Sequence, residues 1–164
     1  MNDTATQVLS EAALAKLDRE IAKYPSDQKQ SAVMAALAIA QDEHGWLSPA
    51  TMDFVAHYLG MPPIAVYEVA SFYTMYDLAP VGRCKVSICT NLPCALQGAT
   101  AAALHLKQKL GIGFGETTPD GAFTLKEAEC LGACGEAPVL LVNNKRMACA
   151  MSPDKLDKLI GEFK

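Results

Sequence analysis

Four cysteines stand in two close pairs, Cys89 and Cys94 in Cys89-Thr90-Asn91-Leu92-Pro93-Cys94, and Cys130 and Cys134 in Cys130-Leu131-Gly132-Ala133-Cys134. Thiolates at such spacing can share metal. A [2Fe-2S] cluster asks for two protein sulfurs on each iron beside the bridging sulfides, so two short loops that each deliver a pair would close its coordination sphere. One pair per iron is the natural assignment. Pro93 precedes Cys94, and Gly132 and Gly135 surround the second pair, which lets the backbone approach an anionic cluster and aim N–H groups at sulfur.

Other chemistries use the same residues. Four thiolates also satisfy tetrahedral Zn(II) in a structural interaction module, although zinc knuckles use a narrower C-x2-C spacing. Buried cysteines can serve as small hydrophobes, but random burial does not produce two close pairs. A thioredoxin-type dithiol enzyme would need a close, low-pKa pair, and the sequence contains no C-x-x-C.

Composition limits the remaining classes. At 164 residues and 51% hydrophobic content, the chain can pack one domain or two small ones. Six cysteines are too few and too clustered for a disulfide framework, and a reducing cytoplasm would keep them as metal-binding thiolates. With 18 acidic against 14 basic residues and no basic cluster interleaved with aromatics, no nucleic-acid partner is expected. Lys16, Arg19, Lys23 and Lys29 alternate with Asp18, Glu20 and Asp27 as on a solvated helix face. Met1 to Gln7 carry neither a secretory nor an Arg-rich transit signal. The longest apolar stretch, Ala32 to Ala40, is far shorter than the roughly 20 residues a spanning helix needs, so no direct membrane insertion is expected.

The elements that must position the cysteines divide near Pro80-Val81-Gly82, giving residues 1–80 and 81–164 as two domains of an α+β protein. The first reads as all helix. Ser10 can cap a segment to Tyr24, Asp27 a second to His44, Ser48-Pro49 opens a third ending at Gly60, and Pro62-Pro63 opens a fourth. In the second, Arg83 to Cys89 and Ala122 to Ala128 read as strands, with a helix from Cys94 to Leu110 between them. Pro138 to Val142 and Lys145 to Cys149 form a hairpin over Asn143-Asn144, where Asn tolerates a left-handed turn. Ser152-Pro153 then caps a last helix, for what we read as a βαββα succession, a small α/β domain. Cys89 ends the first strand and Cys94 begins the next helix, so the helix dipole is expected to face the cluster.

Several other signals read as structural. Cys84 and Cys149 sit where a small apolar side chain would pack, as buried thiols. Gly111-Ile112-Gly113-Phe114-Gly115-Glu116 imitates a dinucleotide loop, but Glu116 occupies the last glycine position and a helix precedes it, so it reads as a helix stop. His44, His57 and His105 are isolated, without the paired histidines of a Rieske centre. Trp46 and the Phe72-Tyr73-Thr74-Met75-Tyr76 run read as packing, with the composition of a protein interface.

Three stretches taken together, Val86-Ser87-Ile88-Cys89-Thr90-Asn91-Leu92-Pro93-Cys94, Glu129-Cys130-Leu131-Gly132-Ala133-Cys134-Gly135-Glu136-Ala137-Pro138 and Tyr67-Glu68-Val69-Ala70-Ser71-Phe72-Tyr73, resemble the NuoE-type subunit of respiratory complex I over nearly the full length. The resemblance implies an N-terminal helical bundle, for partner docking, followed by a thioredoxin-like [2Fe-2S] ferredoxin domain. It matches Cys89, Cys94, Cys130 and Cys134 to the four ligand positions one by one, with no catalytic residue on the chain itself. It also implies one-electron exchange with FMN of an NADH-binding flavoprotein, off the main path to quinone. FMN and NAD would sit on that partner, beside other peripheral-arm subunits. The expected location is cytoplasmic, in a bacterium, peripheral to the inner membrane through the complex. The same module occurs in NAD-linked formate dehydrogenases and NAD-reducing hydrogenases, which the motif residues do not separate from complex I.

Overall fold

The computed structural model describes residues 8–163, so the targeting reading of Met1 to Gln7 falls outside the described residues. The chain forms two compact units that divide after Pro80.

The first unit is helical. Helix α1 (Glu11–Ile21) starts at Ser10, whose side-chain oxygen accepts the Ala13 N–H at 3.2 Å. Ser10 in turn donates its own N–H and O–H to the Glu43 carboxylate at 2.7 and 2.8 Å. The backbone donation, followed by the hydroxyl, holds the Glu43 carboxyl below its ordinary range. Helix α2 (Val33–His44) does not begin at Asp27 as its sequence suggests. A 3-10 turn over Lys29–Ala32 precedes it, led by Gln28 without a side-chain cap. Helix α3 (Pro49–Leu59) is capped by Ser48, which accepts from the Thr51 N–H at 3.1 Å, and stops at Gly60 with φ of 68°. Helix α4 (Pro63–Phe72) follows. Leu17, Leu37, Leu47, Val55 and Val66 are fully buried in the core these helices share. Burying each such side chain contributes roughly 1.5–3 kcal/mol. Tyr76 is drawn into that core and donates its hydroxyl to the Met34 carbonyl at 2.8 Å, whereas Phe72 stays 78% exposed. No helix among the described residues is long and apolar enough to cross a membrane.

The second unit is a four-stranded sheet with helices. Its strands are β1 (Cys84–Cys89), β2 (Phe123–Ala128), β3 (Leu140–Val142) and β4 (Arg146–Ala148), in the order β2-β1-β3-β4. β1 pairs parallel with β2, Val86 facing Leu125, and antiparallel with β3, Ile88 facing Leu140. All six residues of β1 are buried, as befits a central strand, and Cys89 lies at its end. The hairpin adds two strands rather than one and two helices lie between the first two strands, so the succession is βααβββα and the βαββα reading undercounts it. Its turn forms as the asparagines predict, with φ of 50° at Asn143 and 57° at Asn144.

One expected element breaks in two. The helix foreseen from Cys94 to Leu110 is a five-residue helix α5 (Leu92–Leu96) followed by α6 (Ala99–Leu110). Gly98, with φ of 93°, makes the break, because that conformation ends a right-handed helix and lets a new one start at a different angle. Helix α7 (Pro153–Glu162), capped by Ser152, packs against α6. Asp157 on α7 accepts from His105 at 2.8 Å and from Lys109 at 3.1 Å, and these bonds, His105 first, keep its carboxyl below the usual range. Gly82, just before β1, has a structural duty of its own. A Cβ there would stand 2.8 Å from the backbone carbon of Phe123, so only glycine lets the chain pass β2 at this point.

Candidate metal centre

Two loops reach the same end of the sheet. The end of β1 delivers Cys89, whose N–H donates to the Val139 carbonyl at 3.0 Å, and the chain then turns into α5. Pro93 occupies the first turn of that helix, and Cys94 follows, 2% exposed. The second loop leaves β2 at Ala128, presents Cys130 on its exposed flank, and reaches Cys134 at the head of a 3-10 turn over Cys134–Glu136.

Cys89 and Cys94 share one small buried cluster against which Leu131 and Ala137 of the second loop pack, and the Cys94 thiol has those of Cys89 and Cys134 as neighbours. Burial, then these two neighbours, push it up to about 11. Three of the four sequence-predicted ligands thus meet, although they come from loops far apart in the chain. The fourth, Cys130, remains exposed, and its sulfur accepts the Gly132 N–H at 3.4 Å. Gly132 adopts φ of 76°, a conformation that favours glycine, so the N–H is aimed at sulfur as its composition predicts. Gly135 does not adopt a left-handed φ, and no described atom lies within 4 Å of where its Cβ would stand.

The dipole expectation needs correction. Cys94 lies in a helix of only five residues, too short to sum a sizeable macrodipole, and the longer α6 starts beyond it. Charge at the site comes instead from carboxylates. Glu127 and Glu129 accept from the side chains of Thr90 and Asn91, the second at 2.8 Å, and so tie the first ligand loop to the strand that feeds the second. Gln97 reaches over as well, donating its side-chain amide to the Cys134 carbonyl at 2.8 Å. None of these partners is legible from local spacing, because each pair is separated by 37 or 38 residues.

Among the described residues, no three His, Cys, Asp or Glu side chains close on a single metal ion. A two-iron cluster distributes its ligands as two pairs on a longer frame, and soft thiolates presented by two loops with an N–H beside sulfur suit it. His44 binds the Val8 carbonyl at 2.7 Å, and His105 belongs to the α6–α7 contact.

The model of the thioredoxin-like [2Fe-2S] ferredoxin family matches residues 17–164, a span that includes both cysteine loops. The chain belongs to this family. A mitochondrial NADH dehydrogenase (ubiquinone) flavoprotein 2 of Dictyostelium discoideum is 47% identical to this ferredoxin over 132 residues, 80% of this chain and 53% of that protein. The chain therefore spans about half of that relative. A subunit of the NADH-quinone oxidoreductase of Rhizobium meliloti is 44% identical over 91% of this chain and 87% of its own length. The fold also matches a chain in the crystal structure of an NAD+-reducing [NiFe]-hydrogenase in the air-oxidized state. That match has a TM-score of 0.70, covers 80% of this chain and 22% of that one, and at 23% identity is a likeness of fold.

The two remaining cysteines of this ferredoxin differ from each other. Cys84 is fully buried in the sheet core, as expected of a packing thiol. Cys149 is not: it is half-exposed just after β4, and a hydrogen bond with Glu136, ahead of burial, raises its pKa. A small thiol at a strand end can use its weak donor as readily as its apolar surface.

Cys84 gives a pH-dependent prediction. Burial pushes its thiol up to about 11, against about 8.5 in an unfolded chain. Below about pH 8.5 the thiol is protonated in both states and costs the fold nothing; above it the unfolded chain releases a proton that the folded one retains. Stability should therefore fall as pH rises from about 8.5 toward about 11. Urea midpoints measured across that range should fall less steeply in Cys84→Ala, and at pH 8 an alkylating reagent should label half-exposed Cys149 while sparing Cys84. Equal labelling of the two in native protein would contradict this reading.

Proposed function

We propose that the chain is the electron-transfer subunit of NADH:quinone oxidoreductase, respiratory complex I, and that Cys89, Cys94, Cys130 and Cys134 hold its [2Fe-2S] cluster. The observation that carries the reading is the convergence of the two cysteine loops at one end of the sheet, where Leu131 and Ala137 of the second pack on buried Cys89 and Cys94 of the first. Membership of the ferredoxin family and the names of its relatives support it. When bound, the cluster supplies a single reversible electron.

The chain's own residues set the terms of that exchange. The cysteines supply four thiolates, and Gly132 turns an N–H toward the sulfur of Cys130. Between Glu127 and Pro138 the second loop carries Glu127, Glu129 and Glu136 and no Lys or Arg, a negative surround that opposes added negative charge and lowers the potential. Leu92 and Leu96, 69% and 80% exposed, flank buried Cys94 and offer an apolar surface through which the flavoprotein would approach. In this reading FMN and NAD reside on that partner, and the helices before Pro80 form a bundle that docks to it, Phe72 and Ile64 being the most exposed large apolar side chains among its described residues. Attachment to the membrane would come through the complex.

Isolated protein should take up one electron per cluster from dithionite and none from NADH, because the proposal places both flavin and nicotinamide sites on the partner. Adding the flavoprotein should make the cluster respond to NADH where their potentials allow. Visible absorbance followed during anaerobic addition of NADH is the measurement. Rapid NADH oxidation by the flavin-free chain alone would refute the assignment.

A further inference from the structure

Gln97 touches both ligand loops. It is the residue that closes α5, and its backbone N–H donates to the carbonyl of Cys94 at 3.1 Å. Its side-chain amide donates to the carbonyl of Cys134 at 2.8 Å. The same residue thus holds the main chain at one cysteine of each loop. Under the pair-per-iron assignment those cysteines belong to different irons, so the bond spans the two halves of the site.

The other ties between the loops act elsewhere. Thr90 and Asn91 grip Glu127 and Glu129, which lie before Cys130, and the Ala150 N–H holds the Glu136 carbonyl beyond Cys134 at 2.7 Å, so neither tie acts at Cys134 itself. Within its own loop the Cys134 carbonyl meets only a long contact from the Ala137 N–H at 3.4 Å. Gly98 is equally necessary to the arrangement, since its φ of 93° ends α5 at the point where Gln97 faces the second loop. We propose that Gln97 is a positioning residue that fixes the spacing between the Cys89–Cys94 and Cys130–Cys134 pairs through the Cys134 carbonyl. The inference rests on the ligand assignment above.

The test compares full-length protein carrying Gln97→Met, which keeps the length and loses the donor, with Gln97→Arg, which restores N–H donors. One hydrogen bond contributes on the order of 1 kcal/mol, a factor of about five. The Met variant should release iron to a chelator about fivefold faster than wild type, and the electron paramagnetic resonance line of its dithionite-reduced cluster should broaden. The Arg variant should resemble wild type in both. Faster amide exchange over residues 132–137 in the metal-free Met variant is expected as well. A Met variant that loads no iron while its circular dichroism matches wild type also supports the proposal. Wild-type release and line shape in the Met variant would overturn it, as would equal defects in both variants or an unfolded Met variant. Wild-type protein devoid of iron would instead overturn the ligand assignment beneath it.

Discussion

Replacing Cys89, Cys94, Cys130 or Cys134 singly by serine should strip most of the iron and sulfide from the purified protein, while Cys84→Ser and Cys149→Ser keep them. The contrast follows from position and chemistry together. A serine hydroxyl is a harder and far less acidic ligand than a thiol, and under the proposed assignment each motif cysteine supplies one of the four bonds the irons need. Cys84 lies in the sheet core, and Cys149 is engaged with Glu136. Iron and sulfide analysis per chain, with circular dichroism to confirm folding, is the measurement. Full retention in two or more of the four motif variants would sink the ligand assignment; iron loss in the folded Cys149 variant would add a ligand to it.

Residues 81–164 expressed alone should still acquire the cluster but no longer co-purify with the flavoprotein. All four motif cysteines lie in this segment, together with the whole sheet and an apolar core of its own that includes Val86, Leu106, Leu125, Leu140 and Leu156. The core that contains Leu17, Leu37, Val55 and Val66 is built from the preceding helices and would be absent. Stability should be reduced, since a domain of this size buries a smaller fraction of its surface than a longer chain. The measurements are the visible spectrum of the truncated protein and a pull-down against the partner. A colourless truncation, or one that binds the flavoprotein with unchanged affinity, would overturn the division of labour between the two segments.

What could be read from the chain was what local chemistry decides. Ser10, Ser48 and Ser152 each cap the helix expected of them, because a side-chain oxygen and an N–H three residues on are all that a cap requires. The cysteine pairs are equally local: Cys89 at a strand end and Cys94 just inside a helix follow from periodicity and Pro93. The break at Gly98 was not legible, since Ala95 to Leu110 keeps a helical apolar pattern across it and one glycine costs a helix only about 1 kcal/mol. The same holds for the entry to α2, where a 3-10 turn replaces the expected cap at Asp27. The second-loop contacts lay further out of reach. Thr90, Asn91 and Gln97 find their partners 37 or 38 residues away, and only the parallel pairing of β1 with β2 brings those partners near. Cys149 illustrates the converse: its sequence context suits burial, but it lies half-exposed just after β4 with Glu136 as a polar neighbour.

The central claim is that two cysteine loops hold a two-iron cluster, and the paramagnetic resonance spectrum of the reduced full-length protein tests it most directly. Aerobically purified protein should be red-brown and silent, contain about two iron and two sulfide per chain, and after dithionite give a signal of one unpaired electron per cluster. A colourless protein containing stoichiometric zinc, with no signal after reduction, would contradict the account.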